Sequence, residues 1–503
     1  MTGSLPTDAL SMPASGVEET LARAADIAAG PASMLPIVVD LDETLVLTDT
    51  LHEQALFALF HQPLTLLRVL PRLKDGRAAF KAGLAADLPF AAVGLPLRTD
   101  LVAWLKQQAA LGREIHLCSA ANTAIVQAVA ARLGIFKSAI GSSDTNLKGQ
   151  AKADLLTRLF PVGFVYVGDS RADLAVWQVA SGVVLAGASQ AVAAGARALG
   201  KPVEAEFVNT PLSAREILKA IRVHHWLKNL LVFVPILLGH GWDDHPALLR
   251  TALGLICVLA VTSATYILND IADIDADRQH WSKRGRAIAS GRLAAAPAFV
   301  ASIAAILVAL GFALALEPRF AGVLAAYLAV TLAYSFGLKR VPLLDTMIIG
   351  ILFTSRLVMG ITLAGQAYSE WLLTFSMFFF FSLATAKRHT EVVRAGTSGS
   401  GSIAARGYEV GDAALTLVFG VATAVASLLI MVLYIVEEVL RRGVYTNPKM
   451  LWGVPIALAI WVGRIWLLAH RGRMNDDPVS FALRDKASIV LGTAVGILFV
   501  LAL

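Results

Sequence analysis

The sequence predicts two folds in one chain: an N-terminal α/β domain with a parallel sheet, then a C-terminal all-α domain that crosses a membrane repeatedly. Three observations carry this. The 503 residues are 56% hydrophobic and 16% charged, whereas soluble domains carry about 25% charged residues. The excess is uneven: up to about residue 212 polar and apolar residues mix, and beyond it long apolar runs alternate with charged loops. Within the first part, short apolar runs alternate with helical patterns, as a parallel sheet covered by helices requires. An ordinary soluble enzyme is excluded.

The elements follow in order. Residues 1–34 are rich in Ala, Ser, Thr and Pro, and 1–22 lack Lys and Arg, so they read as a disordered tail and not a signal peptide. Strands are expected at 35–39, 115–118, 164–167 and 182–185, with helices at 100–111, 122–133, 151–160 and 173–180. Residues 50–95 interrupt this alternation with helical patterning, as a small inserted cap would. The α/β domain is thus 35–187, a linker follows at 188–213, and the membrane domain is 214–503. Ala214–Trp226 places Ile217, Leu218 and Ile221 on one face, suiting a helix at the membrane surface. Nine spans are expected: 227–242, 247–268, 294–316, 319–337, 343–364, 370–386, 411–436, 450–469 and 486–503.

The net charge of +6 fits basic loops better than nucleic-acid binding. The loops that follow the even-numbered spans hold most of the Lys and Arg, which puts the N-terminal domain in the cytoplasm and the C-terminus outside a bacterial-type inner membrane. Cys118 and Cys257 fall in different domains, so no disulfide framework or Cys-rich metal site is expected. Oligomeric state is left open, a homo-oligomer included.

Carboxylates stand where the first domain's strands end. Asp40-Leu-Asp-Glu-Thr44 follows the first strand. Asp40 can attack a phosphoryl group and Asp42 can protonate the leaving oxygen. Ser119 ends the second strand, Lys148 and Lys152 flank or open a helix, and Gly168-Asp-Ser-Arg-Ala-Asp173 follows the third. Carboxylates Asp169 and Asp173 suit Mg²⁺, and open α/β sheets bind ligands at these strand ends. This set resembles the haloacid dehalogenase (HAD) phosphatase superfamily, whose four motifs occur in order over residues 36–187. The resemblance implies a Rossmann-like fold, Asp40 as nucleophile, Asp42 as general acid/base, and Mg²⁺ held by Asp40, Asp169 and the Asp42 carbonyl with support from Asp173. Either lysine could be the motif lysine. Lys152 has the better helix register, Lys148 the more usual distance to Asp169.

The second span ends in Asn269-Asp-Ile-Ala-Asp-Ile-Asp-Ala-Asp277. Asn269, Asp270, Asp273 and Asp277 are spaced by three and four, which places them on one helix face. Acids clustered at a membrane boundary call for cations, and Mg²⁺ shared with a diphosphate supplies them. Lys283, Arg284 and Arg286 follow as phosphate ligands. The pattern resembles the UbiA superfamily of intramembrane prenyltransferases, over residues 213–503. Most members use two Asp-rich motifs, but here Asp345 stands alone in the second region, with Ile349 four residues on.

The details resemble one branch, the decaprenyl-phosphate phosphoribosyltransferases. The matching stretches are His225–Pro235, Lys283–Ala289, Tyr334-Ser with Leu338-Lys339, Lys387-Arg388 with Glu391, and Asp477-Pro478 with Asp485. The resemblance implies phosphoribosyl pyrophosphate as donor and a polyprenyl phosphate as acceptor. Lys228, Asn229, Lys283, Arg284, Arg286, Tyr334, Lys339, Asp345, Arg356, Lys387 and Arg388 become candidate substrate ligands. Asp270 and Asp273 become candidate catalytic residues. Arg356 lies inside the fifth span, where a charge is costly and usually functional. Holding the acceptor phosphate is one role, an internal ion pair another. Together the halves suggest a bifunctional enzyme that needs Mg²⁺ in both domains: phosphoribosyl transfer, then removal of the 5-phosphate. The alternative is a prenyltransferase acting on an aromatic acceptor, with the HAD-like domain as an accessory module.

Overall fold

The computed structural model describes residues 35–88, 94–143, 146–397, 406–443, 445–474, 481–482 and 484–503. The expected tail at 1–34 and the Asp477-Pro478 pair lie outside them. The chain forms two compact units, one of Met1–Ala220 with Asp270–Val300, the other of Ile221–Asn269 with Ala301–Leu503.

The first unit is built on a six-stranded, all-parallel sheet in the order β3-β2-β1-β4-β5-β6. The strands are β1 Ile37–Val39, β2 Ile115–Asn122, β3 Ser138–Ser142, β4 Val165–Gly168, β5 Gly182–Ala186 and β6 Val203–Phe207. Alternation along β1 puts Ile37 and Val39 in one core with α4 (Thr99–Ala110) and α5 (Thr123–Leu133), and Val38 in the other with α6 (Gln150–Leu159) and α8 (Gln190–Ala198). Both faces are covered, which is why these strands are nearly unbroken apolar runs. Each fully buried Val, Leu or Ile contributes about 1.5–3 kcal/mol. The strand order reverses at β1/β4, the crevice where such sheets bind ligands.

Between β1 and β2 lie α1 (Thr50–His61), α2 (Pro63–Val69) and α3 (Arg77–Asp87), where the sequence predicts a helical insertion. They share a small core of Ala58, Val69, Phe80, Leu84 and Leu88. Asp49 caps α1 by accepting from the Leu51 and His52 amides, a contact worth about 1 kcal/mol.

Two expectations are corrected here. The linker at 188–213 contains helix α8 and strand β6. In β6, Val-Glu-Ala-Glu-Phe is an exposed edge with little apolar signal, held by the Arg113–Glu204 and Arg197–Glu206 pairs. The surface helix expected over 214–226 ends at Ala220 as α9 (Ala214–Ala220), because Arg222 takes a left-handed conformation, φ 55°. Helix α7 is Leu174–Val179.

Among the described residues six helices are long and apolar enough to cross a membrane: His245–Ala272, Ala295–Leu316, Pro318–Phe336, Leu344–Ala364, Val410–Val439 and Pro448–His470. A broken pair, Ala214–Ala220 with Val223–Leu238, would make a seventh. The expected nine are therefore not reached among the described residues. Glu370–Thr397 carries Lys387, Arg388, Glu391 and Arg394 in its second half. Lys486–Ala502 has 17 residues, a length of about 26 Å against a hydrocarbon core of about 30 Å. In the second unit helices approach closely at small residues. A Cβ at Gly360 would lie 2.1 Å from the Val232 carbonyl oxygen, and one at Gly420 would lie 2.0 Å from the Trp466 ring.

Candidate active sites

In the first unit the chain leaves β1 into a tight turn. Asp40 is its first residue, and Glu43 sits at φ 55°, a strained conformation of the kind found at functional turns. Arg98 fixes the turn. Its guanidinium donates to the carbonyls of Thr44 (2.9 Å) and Glu43 (2.9 Å) and to Asn209 (2.8 Å).

Asp40, Asp169 and Asp173 come together, each offering an oxygen within 4.8 Å of the others. Lys152, 2% exposed, donates to Asp40 Oδ2 at 2.8 Å and to the Tyr166 hydroxyl at 2.8 Å. Tyr166 donates in turn to Asp173 at 3.0 Å. The other Asp40 oxygen accepts from the Leu41 amide, and Thr44 donates to Asp169 at 2.9 Å. Of the two candidate lysines, Lys152 reaches Asp40, whereas Lys148 is exposed. Ser119, expected to end its strand, is buried within β2, which runs on to Asn122, and its Oγ accepts from the Ala121 amide.

Three carboxylates against one ammonium leave a surplus of negative charge. Asp169 is pushed up to about 8 by burial and by the charges of Asp173 and Asp40, against the Thr44 hydrogen bond. Asp42 accepts from the Thr50 amide at 2.9 Å, yet burial and the charge of Asp49 raise it to about 7. Burial alone would lower Lys152, but Asp40 and Asp173 more than offset it and hold it charged. The donor set is all oxygen with surplus negative charge, so it fits a hard divalent cation such as Mg²⁺.

The acid motif of the second span is broken by a turn. His245–Ala272 ends one residue before Asp273, which has φ −93° and ψ 13°, and a short helix, Ile274–Gln279, follows. The single helix face expected from the spacing is thus interrupted. Arg286 nevertheless bridges two of its acids, with Nη1 3.0 Å from Asp270 and 2.6 Å from Asp277. Lys283 lies 3.8 Å from Asp277, and Arg284 is exposed. Two carboxylates that share one cationic nitrogen can share a divalent ion.

In the second unit, Arg356 donates to Asn229 (2.8 Å), to the Tyr327 hydroxyl (3.0 Å) and to the Leu352 carbonyl. All its bonding partners among the described residues are neutral, so the internal ion pair is not what holds it. Asn229 is also linked to Thr262, and Lys228 lies 5.9 Å from the Phe353 ring centre. Asp345 and Arg388, both expected at a substrate, are sealed together instead. Asp345 is 0% exposed; one oxygen takes Arg388 Nε at 2.8 Å and the other the Tyr408 hydroxyl at 2.6 Å. Arg388 also pairs with Glu391. Tyr334 accepts from Arg406 at 2.7 Å. Lys339 lies in a 3₁₀ turn and Lys387 on the Glu370–Thr397 helix, each half-buried.

Arg98, Tyr166 and Thr44 were not singled out in the sequence. Thr44 could have been, as the last residue of the Asp40–Thr44 run, whereas Arg98 and Tyr166 carry no local signal.

Residues 230–485 match the model of the UbiA prenyltransferase family. The chain belongs to that family. It is accordingly a transferase of the prenyltransferase superfamily and a multi-pass membrane protein. An uncharacterized protein, y4nM, of Sinorhizobium fredii is 44% identical over 470 residues, covering 93% of this chain and 91% of that one. The nodulation protein NoeC of Azorhizobium caulinodans is 32% identical over 291 residues, covering 56% of this chain and 92% of its own. Decaprenyl-phosphate phosphoribosyltransferase of Mycobacterium tuberculosis is 31% identical over 188 residues, 37% of this chain and 62% of that enzyme. The UbiA match begins beyond the six-stranded sheet, so the family assignment concerns the membrane part.

Proposed function

We propose that this UbiA-family chain transfers a 5-phosphoribosyl group from phosphoribosyl pyrophosphate to a polyprenyl phosphate of decaprenyl type. Its N-terminal domain, acting as a HAD phosphatase, then removes the 5-phosphate to leave polyprenylphosphoryl ribose. The observation that carries the reading is the state of Asp345. In the two-motif enzymes of the superfamily the second acidic region serves a prenyl diphosphate, and here both oxygens of its one acid are taken by Arg388 and Tyr408. The remaining acid motif is followed by Lys283, Arg284 and Arg286, basic side chains of the kind that a phosphate-rich, water-soluble donor would meet. The partial likeness to decaprenyl-phosphate phosphoribosyltransferase supports the same substrates.

In the transfer step an oxygen of the acceptor phosphate attacks the anomeric carbon, and the bond from that carbon to pyrophosphate breaks. No proton needs to move, so the side chains act by placing charge. Arg286 orients Asp270 and Asp277. Lys228, Lys283, Arg284, Lys339 and Lys387 are the proposed phosphate ligands. Arg356, held by Asn229 and Tyr327, receives the lipid phosphate. In the second step an Asp40 oxygen attacks phosphorus, and the bond to the ribose 5-oxygen breaks. Asp42, half-protonated near neutrality, gives its proton to the leaving oxygen and then draws one from the water that frees Asp40. Lys152 aims the Asp40 carboxylate. Mg²⁺, held by Asp40, Asp169 and the Asp42 carbonyl with support from Asp173 in one site, and by Asn269, Asp270, Asp273 and Asp277 in the other, would offset phosphate charge in both.

The test offers membranes containing the chain either labelled phosphoribosyl pyrophosphate or labelled prenyl diphosphate. Label should reach polyprenyl phosphate from the first. Transfer from prenyl diphosphate alone, onto an aromatic acceptor, would replace this reading with the prenyltransferase one.

A further inference from the structure

Residues 270–300 lie within the membrane part of the sequence, yet they pack into the same compact unit as the N-terminal sheet. The packing is built from several independent contacts. Glu53 of α1 receives both terminal nitrogens of Arg278, at 2.8 and 2.6 Å, and the two side chains are 4% and 6% exposed. The Arg278 Nε donates to the Ala289 carbonyl at 3.0 Å. One guanidinium therefore ties two points of the segment, eleven residues apart, to one carboxylate. Gly291, at φ +74°, runs against the strand-following turn: a Cβ there would lie 2.8 Å from both Leu47 and Pro96. Phe60, at the end of α1, meets Phe299 edge-on with ring centres 6.0 Å apart. Arg292 pairs with Glu216.

We propose that the N-terminal domain is a positioning platform for the donor-binding segment, with Glu53 and Arg278 as the positioning pair. The inference rests on the reading of Asp270, Asp273 and Asp277 as the donor site. Arg278 directly follows Asp277 in the helix Ile274–Gln279. A bidentate carboxylate–guanidinium pair fixes the plane of both groups, so Glu53 sets the rotation of that short helix and, through it, the direction in which Asp277 meets Arg286. The pair is buried and hence weakly screened by salt. The fused domain then has a second task besides hydrolysis: without its α1 carboxylate the donor segment loses its bidentate tie at Arg278.

The experiment uses the full chain in lipid nanodiscs and compares Glu53→Gln, Arg278→Gln and the double exchange Glu53→Arg with Arg278→Glu. Readouts are KM for phosphoribosyl pyrophosphate, KM for polyprenyl phosphate, kcat, and amide exchange over residues 274–292. Glu53→Gln should raise donor KM roughly tenfold, within the range typical of coupled sites. It should leave acceptor KM near wild type and quicken exchange in the segment. The double exchange should return both readouts toward wild type. A variant that merely destabilised the fold would lower the active fraction and would not split the two KM values. Unchanged exchange over 274–292 in Glu53→Gln would overturn the docking role. Quickened exchange with unchanged donor KM, in a chain where Asp270→Asn still raises donor KM, would overturn the positioning role. If Asp270→Asn leaves donor KM unchanged as well, the donor-site reading is what has failed.

Discussion

Around Asp40, three carboxylates face one lysine; around Arg356, among the described residues, one guanidinium faces only neutral acceptors. Both sets are largely removed from water, and both carry charge that their neighbours do not balance. Asp345, by contrast, meets Arg388 in a closed pair. A balanced buried pair holds structure, whereas a surplus of one sign is the condition under which a ligand of the other would bind; under the proposed function that ligand is a divalent cation at Asp40 and an anion at Arg356.

Breaking the balanced pair should have the largest effect on the fold. Asp345→Asn leaves Arg388 with only its partly exposed partner Glu391, a loss below the roughly 3–5 kcal/mol of a fully unpaired buried charge. Thermal unfolding in detergent should show a marked drop in midpoint, and Asp345→Asn with Arg388→Met should recover part of it. An unchanged midpoint would mean that the pair is not structural and would return Asp345 to the substrate.

Removing the unbalanced guanidinium should affect binding more than folding. A hydrogen bond to a charged group is worth about 1.5–3 kcal/mol, so Arg356→Met should raise KM for polyprenyl phosphate by roughly 10- to 150-fold while donor KM stays near wild type. Equal loss toward both substrates would place Arg356 outside the acceptor site.

The smallest effect concerns pH. Asp169 and Asp42 are raised to about 8 and about 7, so the folded chain prefers them protonated. Stability from this source is full below their unfolded pKa values and is lost as pH rises through 7 and 8. His116 is lowered to about 4 by burial, and its effect has the opposite sign but is confined below about pH 6.5. Between pH 6.5 and 8.5 the metal-free chain should therefore lose stability, and Mg²⁺ at ten times its Kd should restore about 1.4 kcal/mol at the upper end. A midpoint insensitive to Mg²⁺ at pH 8.5 would contradict the surplus-charge account.

Much of this arrangement was legible in the sequence, for physical reasons that can be named. Strands β1, β2, β4 and β5 are buried on both faces and therefore appear as apolar runs. Edge strand β6 is half exposed and β3 contains Ser, Gly and one Ile, so neither stands out. The carboxylates at Asp40, Asp42, Asp169 and Asp173 could be read because strand ends are marked by the strands themselves. What spacing could not give is any partner far along the chain. Arg278 lies 225 residues from Glu53, and Arg98 reaches back 54 residues to the Thr44 carbonyl. The break at Asp273 was equally hidden, because three-and-four spacing is the same on one helix or on two short ones. The partners of Asp345 were hidden by distance along the chain: Arg388 and Tyr408 lie 43 and 63 residues further on.

The most direct test of the central claim is the product of the complete reaction, measured by mass spectrometry. Purified chain, polyprenyl phosphate, phosphoribosyl pyrophosphate and Mg²⁺ should yield polyprenylphosphoryl ribose and free phosphate. Asp40→Asn should stop at polyprenylphosphoryl-5-phosphoribose with transfer intact. If Asp40→Asn releases phosphate as the wild type does, or if no phosphoribosyl lipid forms in either, the account is contradicted.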